Sequence, residues 1–583
     1  MDTMKSFKGY DKVDPTEERS FRRRNRKRII LIAIAGVLLV AIVAGVAVGV
    51  AVNKGSRSDG GIPPSPFSAS NPIKAICSVT RYPDSCFSSL SSANASVIAT
   101  GDPKELFKLS LAVAASAIQE LSPFLDALKL PAADKRLQAA VNDCRELFED
   151  AVDRLNDSAA SLAAAKPGEK LFSERRISDL RTWLSAAVAD QETCLDGFEG
   201  TAGSFREKLE AAMVNSTRFT SNSLAIATGI LGIMEKLSSP FHRKLLGSTS
   251  QKSPFPAWLS AKQRRVLLES GELPANVTVA QDGSGQAKTI QEAVNLVPKK
   301  SNSLFVIYIK AGVYRENVLL DNTKWNVVFL GDGMYKTIIT GDKNYIDGTP
   351  TFETATFVVT GRGFVAKNIG FKNTAGPDKH QAVALRSGAD RSIFFRCSFD
   401  GFQDTLYAHS NRQFYRECDI IGTIDFIFGD ASVILQNCRI LPRQPLPNQM
   451  NTITAQGKKD PHESTGISIQ GCTIAPYDSV TRPTYLGRPW KNYSTTVVMK
   501  TEIGGVVDPA GWLPWVLGTV PPETVNYAEY QNTGPGSGLA GRVTWPSYRP
   551  AVDAHEASKY TVGPFINGHE WIPGAGVQFD SNL

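Results

Sequence analysis

Two aspartates held in a repeat are the residues best placed for chemistry. The stretch beginning at Phe395 reads FRCSFDGFQDTLY, and the stretch beginning at Arg416 reads RECDIIGTIDFIF. Aligned on cysteine, Cys397 matches Cys418, Gly401 matches Gly422 and Asp404 matches Asp425, each pair 21 residues apart. If one repeat is one turn of a stacked coil, the two carboxylates lie about 5 Å apart along its axis. Two carboxylates that close in a partly buried site cannot both ionise freely. One pKa rises unless a cation holds the other down. A proton donor beside a retained anion is what acid–base and nucleophilic work by carboxylates requires.

The same pairing would serve an Asp/Asn turn ladder or a calcium site, so the neighbours matter. Gln403 adjoins Asp404 and can donate an amide N–H to a developing oxyanion. Phe426 and Phe428 flank Asp425 and lower the local dielectric. Downstream, LGRPW joins Arg488 to Trp490 across a proline. An arginine there can hold Asp425 ionised through a two-pronged hydrogen bond, and a tryptophan offers a stacking face to a sugar ring. Other ester chemistry finds little support. There is no G-x-S-x-G elbow and the chain has 6 histidines, which argues against a serine nucleophile. No H-E-x-x-H motif or close Cys/His cluster suggests zinc, and no cofactor is expected.

The elements that must hold these residues are short strands. From Val277 onward, short apolar runs such as LFVIYIKAGVY and WNVVFLGDG alternate with Gly, Asn and Thr, the texture of strands and tight turns. LQNCRI places Cys438 another 20 residues on, IQGCTI places Cys472 after a longer excursion, and KNIGF around Asn368 resembles an earlier copy. A short-period repeat of strand and turn with loop insertions predicts an all-β parallel β-helix over 274–583.

Ahead of it, residues 71–236 are rich in Ala, Leu, Glu and Lys. Segments near 103–121, 133–164, 174–197 and 203–236 carry apolar residues at helical spacing and predict an all-α four-helix up-down bundle. Cys77 and Cys86 sit just before it as a local clasp. Cys144 and Cys194 lie within helical segments as an interhelical staple. Residues 237–273 form a linker with basic pairs in HRKLLG and KQRRVLLESG, candidate cleavage points near Arg243–Leu246 or Arg264–Leu268.

The formal net charge of +7 is unevenly spread over the 583 residues. Residues 1–28, a basic tail, hold ten Lys/Arg and five Asp/Glu, and residues 29–52 hold no charge. The basic balance therefore reports a tail beside an apolar run and does not point to nucleic acid. The run Ile29 to Val52 is long enough to span a bilayer, and the positive cluster before it places the N-terminus in the cytosol. It reads as a transmembrane signal anchor or a signal peptide, followed by a Ser/Pro/Gly linker over 53–70. The rest then enters an oxidising compartment, where cysteines can pair. The sequons at Asn94, Asn156, Asn215, Asn276 and Asn492 agree.

The stretches AGVYRENV, QAVALR, GFQDTLYAHSNRQFY, GTIDFIFG, TAQG and LGRPW, in this order, resemble the pectin methylesterases. CSVTRYPDSC, Cys144 and TWLSAAVADQETCLDGF resemble the pectin methylesterase inhibitor domain that precedes the enzyme in plant precursors. FIFGDA and DGTPTF depart slightly from the family wording, outside the reacting groups. The resemblance implies a right-handed β-helix cleft for methylesterified homogalacturonan. It implies Asp425 as nucleophile, Asp404 as proton donor and then base, and Gln403 and Gln381 as oxyanion stabilisers. Arg488 would orient Asp425, and Thr351, Gln381, Arg488 and Trp490 would line the sugar site, with Trp512 and Trp515 as further wall contacts. It also implies disulfides Cys77–Cys86, Cys144–Cys194 and Cys418–Cys438, although the repeat equally allows Cys397–Cys418. The implied partners are separate pectin methylesterase inhibitor proteins and a subtilisin-like processing protease. The expected course is a Golgi-membrane precursor and a monomeric mature enzyme in the cell wall. A pectate lyase or polygalacturonase on the same fold, or a non-catalytic binding protein, are the competing readings.

Overall fold

The computed structural model describes residues 72–93, 102–128, 130–131, 134–164, 173–199, 201, 204–237 and 274–583. The expected anchor at 29–52, the sequon Asn94 and the cleavage linker lie outside the described residues. Among the described residues no helix is long and apolar enough to cross a membrane.

Two short helices, α1 (Pro72–Cys77) and α2 (Pro83–Ser92), lead into α3 (Pro103–Gln119), the short α4 (Ser122–Asp126), α5 (Lys135–Ala163), α6 (Glu174–Asp196) and α7 (Phe205–Leu237). Asp102, Asp134 and Ser173 cap α3, α5 and α6 by accepting backbone N–H groups of their first turns, which satisfies donors the helix leaves orphaned. Leu111, Ala140, Leu147, Leu184 and Leu224 meet in the bundle core. Cys77–Cys86 ties α1 to α2, and Cys144–Cys194 ties α5 to α6 with Cα atoms 4.6 Å apart.

Residues 277–549 form three parallel sheets of eleven, seven and eight strands among the described residues. Each strand pairs with its counterpart one coil away, as Leu385 with Leu406 and Leu406 with Ile427. One corner of the coil is turned by a single left-handed residue per turn: Asn368, Arg396, Glu417 and Asn437, then Gly471 and Lys500. This conformation is costly for L-residues, and here the stacked backbone imposes it coil after coil. Inside, Phe371 stacks on Phe399 at 5.6 Å and Phe394 on Tyr415 at 4.7 Å.

The same interior holds Cys397, Cys418, Cys438 and Cys472, all buried and all free thiols. The expected Cys418–Cys438 disulfide is therefore corrected. Equivalent positions bring the sulfurs near one another, but each turns to backbone carbonyls: Cys418 Sγ to Phe394 O at 3.3 Å, and Cys438 Sγ to Gln436 O at 3.5 Å. Burial pushes the Cys418 and Cys472 thiols well up, while the Cys438 thiol, though burial would raise it, is held down by hydrogen bonds from Cys418 and Cys472.

The bundle and the coil belong to one compact unit. Phe352, Val358, Val383, Tyr407, Phe428 and Ala455 of the β-helix share a buried apolar cluster with the bundle. Val358, Tyr407, Phe428 and Ala455 come from the seven-stranded sheet, so this sheet is the face the bundle covers.

Candidate active site

The site is built at the turns entering the seven-stranded sheet. Gln403 and Asp404 precede the strand Leu406–Ala408, and Asp425 precedes Ile427–Gly429. Those strands pair in register, Leu406 with Ile427. Both aspartates thus stand two residues before paired positions on adjacent coils. The Asp404 N–H donates to Ile424 O at 3.0 Å, and the Ala382 N–H to Gln403 O at 3.2 Å, which stacks Gln381 one coil further along. Asp404 and Asp425 both adopt left-handed backbone, φ 64° and 50°. Non-glycine residues in that region are uncommon and cluster at functional sites.

Asp425 is held on two sides. Arg488 Nε donates to Oδ1 at 2.8 Å and Nη2 to Oδ2 at 2.6 Å. Thr452 Oγ1 donates to Oδ1 at 2.6 Å and accepts the Asp425 N–H at 2.9 Å. Both Asp425 oxygens are therefore committed as acceptors, which fixes the carboxylate and favours its charge. Asp404 is as buried but differs electrically. Burial, and then the negative charge of Asp425, raise its carboxyl well above the ordinary value, with Arg488 pulling the other way. The two carboxyls thus sit in unlike surroundings, Asp425 against a guanidinium and a hydroxyl, Asp404 under burial and beside its neighbour.

A cleft of about 290 Å³ opens over the pair, lined by Thr351, Gln381, Gln403, Arg488, Trp490 and Trp515 around the two aspartates. Trp490 and Trp515 stack with centroids 6.4 Å apart, and the Arg488 guanidinium lies 4.3 Å from the Trp515 ring. A Cβ on Gly457 would meet the Trp490 ring at 3.0 Å, so the glycine of TAQG makes room for that wall. Trp512 is corrected. It is 1% exposed, packs on Tyr527 at 4.3 Å and donates to Glu529 at 3.3 Å, which makes it a core residue that lines no cleft. Of the sequons within the described residues, Asn156, Asn215, Asn276 and Asn492 are all exposed.

Two groups of site residues carried no readable signal in the sequence. Thr452 reaches Asp425 from the next coil, 27 positions on. The end of α6, with Thr193, Asp196, Gly197 and Glu199, lines the same cleft. That end is anchored by Lys491, whose Nζ meets Glu192 at 2.8 Å and Asp196 at 2.6 Å. Beside it, His409 Nε2 sits 3.0 Å from Thr193 Oγ1. Among the described residues no group of three or more His, Cys, Asp or Glu side chains converges as a metal site would.

A family model described as pectinesterase matches residues 276–569, and one described as plant invertase/pectin methylesterase inhibitor matches residues 71–226. The chain is 53% identical to Pectinesterase 3 of Phaseolus vulgaris, with 100% of both chains covered. It is 50% identical to Pectinesterase 1 of Arabidopsis thaliana, with 99% of both covered. Among solved structures, a pectin methylesterase from carrot is 50% identical with a TM-score of 0.52. The match covers 99% of the carrot chain and 54% of this one, a share the size of the β-helix alone.

Proposed function

The chain belongs to the pectinesterase family, with an inhibitor-like helical domain ahead of the enzyme, and from that premise we propose that Asp404 and Asp425 share the hydrolysis of pectin methyl esters as proton donor and nucleophile. The observation that carries this assignment is the asymmetry of the pair: Asp425 clamped by Arg488 and Thr452, Asp404 buried with its carboxyl raised by that burial and by its neighbour's charge.

In the reaction that follows from it, an Asp425 oxygen attacks the C6 carbonyl of a methylgalacturonate unit. The carbonyl oxygen becomes an oxyanion, and Gln403 and Gln381 donate amide N–H groups to it. As the C–OMe bond breaks, the Asp404 proton passes to the departing oxygen and methanol leaves. An anhydride now joins the sugar carboxyl to Asp425. Asp404, now a carboxylate, takes a proton from water, and the hydroxide formed attacks the anhydride. Asp425 is released as an anion and Asp404 is again an acid. Thr351, Gln381, Arg488 and Trp490 hold the sugar, and Trp515 extends the wall.

The end of α6 occupies the ground the substrate needs, so the bundle restrains the enzyme until it leaves. Cleavage at the basic pairs of the 237–273 linker, by a subtilisin-like protease, would free residues 274–583. The bared face would then suit separate inhibitor proteins of the same bundle type. An N-terminal anchor, passage through the Golgi membrane and release to the cell wall complete this reading, as do glycans at the exposed sequons. The assay that tests the chemistry follows methanol and chain length together on methylesterified homogalacturonan. Methanol without shortening is expected. Unsaturated ends or falling viscosity would replace the esterase with a lyase or glycosidase.

A further inference from the structure

A second cavity, of about 300 Å³ against 290 Å³ for the cleft over the aspartates, lies where α6 meets the flank of the β-helix. The bundle gives it Arg175, Asp179 and Trp183, and the β-helix gives it Arg362, Asp390 and Arg391. It shares no lining residue with the cleft, and no step of the reaction above uses it. Its two carboxylates are fully engaged. Asp390 accepts Arg412 Nε at 2.9 Å, Arg412 Nη2 at 2.7 Å and the Trp183 indole N–H at 3.3 Å. Asp179 accepts Arg391 Nη2 at 2.8 Å and lies 2.8 Å from Arg412 Nη2. Arg175 pairs with Glu570 at 3.0 Å across the junction.

The arginines are not all engaged. Arg362 has no carboxylate partner among the described residues. Its guanidinium lies over the Trp325 ring at 3.6 Å, which fixes the plane and leaves its N–H edge for a planar anion. Arg391 Nε is buried without a hydrogen-bond partner, since Asp390 stands 4.0 Å away. Two fixed cations with unfilled donors call for an oxyanion. The rest of the wall calls for a ring that carries hydroxyls. Trp183 is half-buried and lines the cavity beside those cations. Asn326 donates to Ser301 O at 2.9 Å and keeps its Oδ1 as an acceptor. A Cβ on Gly363 would stand 2.5 Å from that oxygen, so the glycine leaves the acceptor open. A carboxylate, a face that stacks and a hydroxyl that donates together describe a uronate.

We propose that this junction cavity is a binding site for a uronate unit, its carboxylate on Arg362 and Arg391 and its ring against Trp183, and that a uronate bound there holds the bundle on the enzyme. Both domains build the site, so it is complete only while the bundle is docked. A ligand that binds only that form stabilises it by mass action. Free galacturonate is also the group that the proposed reaction makes. Its standing as a product rests on the esterase reading, whereas the site itself does not. Short pectate would thus keep unprocessed chains restrained.

The test uses the full chain and digalacturonate. Calorimetry is expected to show saturable binding, weakened about tenfold by Arg362→Gln, as the loss of charge-assisted hydrogen bonds does. Arg362 is exposed, so this variant should melt with the unaltered chain when no ligand is present. Trp183→Ala should weaken binding as well, and Trp183→Phe, which keeps a ring face, should retain it. Hydrogen exchange of the α6 amides should slow when digalacturonate is added. No binding, or equal affinity in Arg362→Gln, overturns the site. Faster exchange in α6 marks a ligand that takes the cleft and lifts the bundle, and overturns the holding role. Inorganic sulfate that binds as tightly as digalacturonate overturns the sugar assignment. Methanol release after cleavage of the linker reports separately on the esterase reading, so the two failures are distinguishable.

Discussion

At the scale of the residue, the site depends on making two like side chains unlike. Asp425 receives four charge-assisted or hydroxyl hydrogen bonds from Arg488 and Thr452, while Asp404 is left to burial and to the field of its neighbour. Thr452 is the test of that division. Its hydroxyl donates to one carboxylate oxygen while accepting the Asp425 N–H, so it holds that side chain in place against its own backbone. Thr452→Val keeps the shape and removes the donor. A hydrogen bond to a charged group is worth about 1.5–3 kcal/mol, so kcat is expected to fall roughly tenfold to a hundredfold with KM little changed, read by methanol release. An unaltered kcat would show that Arg488 alone suffices. Residue chemistry was legible where a motif carried it: the aspartates, Gln403 and LGRPW. Thr452 was not, because its role depends on coil-to-coil register and no local pattern marks it.

At the scale of the element, the 21-residue spacing was the informative quantity. Paired strands place Leu406 on Ile427, so the repeat read from cysteine to aspartate is the physical stacking distance of one coil. The left-handed corners explain why Arg, Glu and Asn can each stand before a cysteine in successive copies: the stacked backbone fixes the conformation and the side chain faces outward. Two expectations failed, and both were carried by the family resemblance. Neither the wall role of Trp512 nor the Cys418–Cys438 pair follows from the spacing, which does not say how a side chain on the coil is turned. Trp512 points into the coil against Tyr527, and the cysteines form an interior column whose sulfurs turn to carbonyls.

At the scale of the whole molecule, the bundle is seated on the catalytic face, and it brings acids to that contact. Burial first, then the charge and hydrogen bond of Glu353, push Asp143 of α5 up to about 9, with Arg386 pulling it down. Burial pushes Asp196 up to about 6 against the pull of Lys491. An acid whose pKa is higher docked than free takes up a proton on docking. Its contribution is therefore complete at low pH, below the ordinary value of 3.8, and is lost as pH rises: towards 6 for Asp196 and towards 9 for Asp143. The bundle's hold should loosen between pH 5 and pH 8. Hydrogen exchange of Leu406–Ala408 in the full chain, corrected for intrinsic rates, should show less protection at the higher pH, and Asp143→Asn should flatten the trend. Equal protection at both would refute the linkage. The bundle itself was legible from helical spacing. Its docking was not, because Glu192 and Lys491 are 299 residues apart and only the folded chain brings them together.

The central claim is that Asp425 is the atom donor that bonds to the ester carbon. Its most direct measurement is methanol release from methylesterified homogalacturonan by residues 274–583 carrying Asp425→Asn, beside a thermal melt of the same protein. A loss on the order of a thousandfold or more with an unchanged melt is the predicted result. Substantial activity in that variant would contradict the account.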